Sequence, residues 1–148
     1  MNAAQRFVIL HVHVPTHESL HFLDPLCLFL FLSFSLSLLQ KNKMVHMVAT
    51  LVEFNDLVGG DTPVVVDFTA TWCGPCQRIG PKFAAMANEF TNIKMVKVDV
   101  DESQDISSKC GISCMPTFQV WAKGEKIEEF SGASEEKLRA LCEKYNNA

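Results

Sequence analysis

A continuous apolar run followed directly by two closely spaced cysteines is the strongest constraint in this 148-residue sequence. Residues 63–69 read PVVVDFT, and residues 72–76 read WCGPC. A β-branched run of this kind predicts a central strand that is buried on both faces of a sheet. After Cys73 the apolar residues follow helical spacing, so the cysteine pair lies where a buried strand turns into a helix. The pair is therefore a redox couple, half of a metal site, or two ordinary buried thiols.

Hydrophobic periodicity divides the chain at Met44. From this residue onward it predicts the element order βαβαβαββα, which indicates one α/β sandwich domain. The first strand is predicted within residues 48–54, leading into a brief helix. The later strands are predicted at 63–69, 93–100, 117–121 and 126–130, and the later helices from Cys73, at 103–109 and from Ser134.

Residues 1–43 show no helical or alternating period, and residues 26–39 form an almost unbroken string of Leu, Phe and Ser. A signal peptide, a membrane anchor and a segment outside the working protein are the three interpretations of this string. No small-residue cleavage pattern follows it, and it is shorter than the roughly 20 residues that a spanning helix needs. We therefore expect residues 1–43 to be a leader outside the domain and residues 44–148 to be the folded domain.

Composition excludes several classes of function. The formal net charge is −4 and the basic residues are scattered, which argues against a nucleic-acid or anionic-membrane surface. All five histidines lie at or before position 46, so the cysteine pair has no imidazole base in the sequence around it. The three unpaired cysteines after Met44 indicate a reducing compartment, and hence the cytoplasm.

The start of the predicted helix gives the two cysteines different roles. The first turn of a helix presents unpaired N–H groups and the positive end of the helix dipole, which stabilise a thiolate at Cys73. An exposed Cys73 is therefore the predicted nucleophile, and Cys76, one turn further in and less exposed, is the predicted resolving thiol. Gly74 permits close approach of the two sulfur atoms, and Pro75 lacks an N–H that the first turn does not use.

Asp67 is a carboxylate inside an otherwise apolar predicted strand. Burial of this group costs free energy unless it has a partner or a function, so we expect a raised pKa. Because the strand leads into the loop that carries the cysteines, Asp67 is the predicted base that deprotonates Cys76, directly or through water. The alternative is an ordinary aspartate at a strand end that reaches solvent.

Six short stretches after Met44 match one known family in order and at family spacing. They are VVDF at 65–68, ATWCGPC at 70–76, KVDVD at 97–101, MPTF at 115–118, KG at 123–124 and FSGA at 130–133. With these motifs, residues 44–148 resemble the thioredoxin family, and within it the cytosolic animal members, over their whole length.

The resemblance implies a three-layer α/β/α sandwich with a central mixed β-sheet and the activity of a protein-disulfide reductase. It implies no bound cofactor, because the redox group is the Cys73–Cys76 disulfide and electrons come indirectly from NADPH through thioredoxin reductase. The implied clients are disulfide-containing proteins such as peroxiredoxins, ribonucleotide reductase and methionine sulfoxide reductase. A monomer is expected, with a dimer linked by oxidation as a further state.

The resemblance also assigns roles to individual residues. Those assigned to catalysis are Cys73, Cys76, the buried Asp67 and its lysine neighbour Lys97. Those assigned to client docking are Trp72, Gly74, Pro75, Met115, a cis Pro116 and Gly132. A cis-proline loop exposes the backbone of the residue before it, which can pair with an extended client segment.

Several positions depart from the family pattern. Gln77 and Arg78 follow the second cysteine where the family usually has a lysine and an apolar residue, which leaves client preference near the site open. Ser103 stands where some mammalian relatives have a cysteine, so a second disulfide to Cys110 is not available. Cys110 and Cys114 remain as candidate regulatory thiols.

Three other interpretations compete with the reductase. Cys110 and Cys114 could complete a zinc site with the first pair, although zinc ribbons hold their cysteines on turns between short strands and not at the start of a long helix. A non-catalytic binding module could use the same docking surface, but both cysteines are present. A disulfide oxidase or isomerase of the secretory pathway would require residues 1–43 to be a true signal peptide.

The leader generates the first prediction. Because the elements after Met44 account for a complete core, a protein that begins at Met44 should keep full disulfide-reductase activity and lose little thermal stability. The full-length chain should be the less soluble of the two, since residues 26–39 are a contiguous apolar segment. Activity and melting temperature of both forms check this, and a loss of several degrees on truncation would contradict it.

Overall fold

The computed structural model describes residues 44–148, which form a five-stranded sheet with two helices on each face. The expectation for residues 1–43 lies outside the described residues. The strands are β1 (His46–Met47), β2 (Val64–Thr69), β3 (Lys94–Asp99), β4 (Thr117–Ala122) and β5 (Glu125–Ser131). The helices are α1 (Leu51–Val58), α2 (Gly74–Glu89), α3 (Gln104–Cys110) and α4 (Glu135–Asn146). The predicted order of elements and the α/β sandwich are confirmed.

The sheet is mixed, with the strand order β1-β3-β2-β4-β5. Strand β3 runs parallel to both β1 and β2, whereas β4 runs antiparallel to β2 and to β5. Strand β2 is thus hydrogen-bonded on both edges and covered on both faces, as its continuous apolar run predicts. Its register places Asp67 opposite Lys97 of β3 and opposite Phe118 of β4.

Alternation along β2 divides the core into two layers. Val65 packs with the buried residues of α2 and α4, including Phe83 and Leu138. Val64 and Val66 point to the opposite face, where they pack with α1 and α3. Because successive side chains of a strand alternate between faces, Asp67 lies on the same face as Val65, toward α2.

The prediction for the first strand is wrong in its position. Residues 48–54 were expected to begin as a strand, but β1 ends at Met47 and α1 begins at Leu51. Thr50 causes the early helix start, because its hydroxyl accepts a hydrogen bond from the Glu53 amide at 3.3 Å and caps the first turn. Val48 is fully buried outside a strand, and its amide still donates to the Lys97 carbonyl at 2.8 Å.

The C-terminal helix agrees with its sequence pattern. Ser134 caps α4 by accepting a hydrogen bond from the Lys137 amide at 3.3 Å. Leu138, Leu141 and Cys142 are buried on one face of the helix, so Cys142 is a small core residue. Within residues 44–148, no helix combines the length and the apolar character that crossing a membrane requires.

The core under α2 generates a stability prediction. Phe83 is fully buried, with its ring centroid 5.9 Å from that of Phe118. Phe83→Ala should lower the free energy of unfolding by about 3–5 kcal/mol, because it removes apolar contacts and leaves a cavity. Val52 is 72% exposed, so Val52→Ala is the control and should stay within about 0.5 kcal/mol of wild type. Urea denaturation checks both values, and equal effects of the two substitutions would contradict the assignment of Phe83 to the core.

Candidate active site

The two cysteines lie at the start of α2, directly after the loop that follows β2. Cys73 is the N-cap of the helix, and a disulfide bond of 2.04 Å joins its sulfur to that of Cys76. The Cys76 amide donates a hydrogen bond to the Cys73 Sγ at 3.2 Å. This bond exists because an N-cap side chain accepts from the amide two or three residues further on. The same amide stabilises negative charge on Cys73 when the disulfide is reduced.

The predicted exposure of Cys73 is wrong for this oxidised form. Cys73 is 5% exposed and Cys76 is 3% exposed, and both pack with Ala70 under Met115 and Val100. In this form the Cys73 sulfur is bonded to that of Cys76 and packed among apolar neighbours. The difference in exposure between the two cysteines is therefore too small to assign their roles, and the hydrogen bond to the Cys73 sulfur is the stronger evidence.

Asp67 is the buried carboxylate that its sequence context predicts. It is 1% exposed, and burial raises its pKa to about 6, against an ordinary value of 3.8. The ammonium group of Lys97 opposes this effect, with 3.6 Å between its Nζ and the Asp67 Oδ2. Among the described residues, no hydrogen bond reaches either carboxylate oxygen. An aspartate at a strand end that reaches solvent is therefore ruled out.

An open cleft runs along Lys97 and Cys76. The cleft has a volume of about 620 Å³, and Cys76, Gly80 and Lys97 are among the residues that line it. Lys97 is partly exposed there and also faces a neighbouring cleft beside Pro81. Water that enters this cleft reaches Cys76 and the lysine that contacts Asp67.

The residues assigned to client docking surround the disulfide. Trp72 is 68% exposed, and its Nε1 donates a hydrogen bond to the Asp101 Oδ2 at 2.7 Å. The Met115–Pro116 peptide bond is cis, as the resemblance implies. Met115 packs on the two cysteines, and among the described residues no hydrogen bond occupies its backbone groups.

Gly74 and Gly132 complete the set of predicted docking residues. Gly74 begins α2 and is followed by Pro75 in the first turn, where a missing N–H leaves no helical bond unmade. Gly132 has a φ of 102°, a conformation that favours glycine, and its amide donates to the Pro116 carbonyl at 2.8 Å. The cis-proline loop and the loop after β5 are thereby joined beside the disulfide.

The two candidate regulatory thiols lie in different environments. Cys110 is buried in the core under α3, and burial raises its pKa to about 11, which argues against a reactive thiol at this position. Cys114 is exposed, and side-chain hydrogen bonds lower its pKa. The bond to Ser131 has the larger effect and the bond to Thr117 the next largest. The buried Ser103, at the position that holds a cysteine in some relatives, directs its hydroxyl to the Ala49 carbonyl at 3.2 Å.

Two contacts near the site have no signal in the sequence. Trp72 and Asp101 are 29 positions apart, and only the pairing of β2 with β3 brings them together. The Gln77 amide group donates to the Thr71 carbonyl at 2.6 Å and closes the loop before the cysteines. Within residues 44–148, no group of three or more metal-ligating side chains is arranged to hold a metal ion.

Comparison with known proteins identifies the family. The thioredoxin family model matches residues 45–144. The chain belongs to the thioredoxin family. It is 48% identical to the thioredoxin of Oryctolagus cuniculus over 99 residues, which cover 66% of this chain and 94% of the relative. It is a disulfide oxidoreductase that works by thiol–disulfide exchange at the Cys73–Cys76 pair, as other thioredoxins do.

Solved structures give the same result for the fold. The thioredoxin of Plasmodium falciparum superimposes with a TM-score of 0.67 at 39% identity, covering 68% of this chain and 99% of that one. A second chain comes from a study of thiol resolution in a yeast mitochondrial 1-Cys peroxiredoxin via glutathione and thioredoxin systems. It superimposes with a TM-score of 0.65 at 32% identity, covering 70% of this chain and 97% of that one. The predicted thioredoxin fold is confirmed.

The buried carboxylate makes stability depend on pH. Asp67 holds its proton to a pH of about 6 when folded but only to about 3.8 when unfolded, so its contribution to stability is complete below 3.8 and is lost as pH rises through 6. The loss is about 3 kcal/mol. The side chain in Asp67→Asn stays neutral at every pH, so this variant should not lose stability in this way. From pH 4 to pH 7 the oxidised wild type should therefore lose about 2 kcal/mol relative to this variant, because part of the total loss has already occurred at pH 4.

Urea denaturation of the oxidised proteins at several pH values measures this difference, because neither active-site cysteine titrates in that form. Asp61→Asn is the matched control, since its side chain is 94% exposed, and it should leave the pH dependence of stability unchanged. Parallel stability curves for wild type and Asp67→Asn would contradict the raised pKa.

Proposed function

We propose that this thioredoxin reduces protein disulfides with Cys73 as the nucleophile and Cys76 as the resolving thiol. The observation that carries this assignment is the hydrogen bond from the Cys76 amide to the Cys73 sulfur at the start of α2. A thiolate accepts such a bond more strongly than a neutral sulfur does, so the negative charge is favoured on Cys73. The cis-proline loop beside it presents the free backbone of Met115 to an extended client segment.

The reaction proceeds in two exchanges. The Cys73 thiolate attacks one sulfur of the client disulfide, and the other client sulfur leaves as a thiolate that takes up a proton. Cys76 then loses its proton and attacks the Cys73 sulfur, which releases the second client thiol. The client gains two electrons and two protons, and the protein gains the Cys73–Cys76 disulfide.

Asp67 is the proposed acceptor of the Cys76 proton. Its raised pKa is close to neutral pH, where a general base is most effective. The cleft that Cys76 shares with Lys97 supports transfer through water, because Lys97 contacts the Asp67 carboxylate. Lys97 sets the charge around that carboxylate, and its ammonium keeps the pKa of Asp67 from rising further.

The electrons that regenerate the dithiol come from NADPH through thioredoxin reductase, and the site of action is the cytoplasm. Family membership supports the first part of this proposal, since thioredoxins act with reductases and disulfide-containing clients. The second part is proposed from the three unpaired cysteines after Met44, because unpaired thiols are typical of a reducing compartment. Peroxiredoxins are the clients best supported, because a matching chain comes from a study of peroxiredoxin thiols. Ribonucleotide reductase and methionine sulfoxide reductase are further proposed clients.

Trapping of a client tests the two roles. Cys76→Ser should accumulate a stable mixed disulfide with a one-disulfide peptide at about one peptide per protein, because nothing resolves the bond to Cys73. Cys73→Ser should accumulate none. Both variants are made in a Cys114→Ser background, since Cys114 is exposed and would form adducts of its own. Intact-protein mass spectrometry measures the adducts, and equal trapping by the two variants would contradict the assignment.

A further inference from the structure

Gly80 lies on the face of α2 that meets the Asp67–Lys97 pair. It is a buried residue one turn after Cys76, and it lines the same cleft as Cys76 and Lys97. Phe83, three positions further along the same helix face, has its ring centroid 6.0 Å from the Lys97 Nζ. The ammonium group therefore lies between the Asp67 carboxylate and this face of the helix.

The space at Gly80 is occupied by the lysine. A Cβ atom built on Gly80 would lie 3.2 Å from the Lys97 Nζ, which is shorter than the roughly 3.5–4.0 Å of an ordinary contact. The same Lys97 Nζ also lies 3.6 Å from the Asp67 Oδ2. A side chain at position 80 would thus require the ammonium to move by a few tenths of an ångström from its present position.

The open direction for that movement leads away from Asp67. The carboxylate side is closed, because Asp67 is 1% exposed and belongs to the central strand β2. The opposite side opens into two clefts of about 470 and 620 Å³ that both include Lys97 in their walls. An ammonium group that moves into a cleft also regains water, so displacement outward costs less than displacement toward the carboxylate.

The intrinsic helix propensity of glycine does not account for its presence at this position. Glycine in a helix interior is less favourable than alanine, because it loses more conformational freedom on folding. The backbone of Gly80 does not have the positive φ that would require glycine, in contrast to Gly132. What glycine supplies here is the absence of a Cβ, both next to the lysine and next to the ring of Pro81, which crowds the residue before it inside the helix.

We propose that Gly80 is a positioning residue for the reaction, because its missing side chain leaves the space in which the Lys97 ammonium lies beside the Asp67 carboxylate. The proposal rests on the proposed role of Asp67 as the base for Cys76. Gly80 acts through Lys97 and does not contact the reacting sulfurs. It adjusts the strength with which the carboxylate holds a proton.

The test is a titration of Asp67 in Gly80→Ala. The side-chain carboxyl carbon is followed by NMR in the oxidised protein, where the active-site thiols do not titrate. The pKa of Asp67 should rise by about 0.3, because the attraction of the ammonium weakens with distance. The melting temperature is measured alongside to show that the variant is folded. An unchanged or lowered pKa in the folded variant would overturn the proposal.

Two further variants separate the effect of the lysine from that of the helix. Gly60→Ala is the matched control, because a Cβ at Gly60 meets no atom within 4 Å, and it should leave the pKa of Asp67 unchanged. In a Lys97→Gln background, Gly80→Ala should no longer change that pKa, since the group through which it acts is gone. An equal rise with and without Lys97 would show an effect through the helix and overturn the proposal.

The titration is independent of the catalytic role of Asp67. If Asp67→Asn resolved mixed disulfides at the wild-type rate, Asp67 would not be the base for Cys76. The effect of Gly80→Ala on the pKa of Asp67 would be unaffected by that result. If the pKa of Asp67 did not respond to Gly80→Ala, the positioning role of Gly80 would be contradicted. The proposed role of Asp67 as the base would not be. The rate of client reduction by Gly80→Ala, measured against pH, tests both roles together. This pH profile should shift to higher pH together with the pKa of Asp67.

Discussion

The pairing of β2 on both edges is the constraint on which the site depends. Its parallel register with β3 brings Lys97 opposite Asp67, and its antiparallel register with β4 brings Phe118 to the other side. A one-residue shift of either strand would turn these side chains to the opposite face of the sheet. The same strand ends at the loop that leads to Cys73, so one element holds both the buried carboxylate and the entrance to the disulfide.

Two neighbouring environments act on protons in opposite directions. The start of α2 favours negative charge on Cys73 through the Cys76 amide, whereas burial makes Asp67 hold its proton to about pH 6. Groups whose environments separate their proton affinities in this way form an acid–base pair that operates near neutral pH. The unbonded carboxylate lowers stability, and such a cost is characteristic of functional sites.

Local patterns in the sequence predict most of the fold and the centre of the site. The apolar run before the cysteines and the helical spacing after them predict β2, α2 and a buried Asp67, because these features depend on neighbouring residues alone. The hydrogen bond between Trp72 and Asp101 and the close approach of Gly80 to Lys97 could not be predicted in this way. They join residues from different elements, and their distances depend on strand register and helix packing, which no local pattern contains.

The central claim is that Asp67 accepts the Cys76 proton, and rapid mixing of the reduced protein with an aromatic disulfide tests it most directly. With the proposed roles, the first chromophoric thiol is released when Cys73 attacks, and the second when Cys76 resolves the mixed disulfide. In Asp67→Asn the second release should be slower by about 10²-fold near pH 7, with the first release much less affected. A second phase with the wild-type rate at every pH from 5 to 8 would contradict the account.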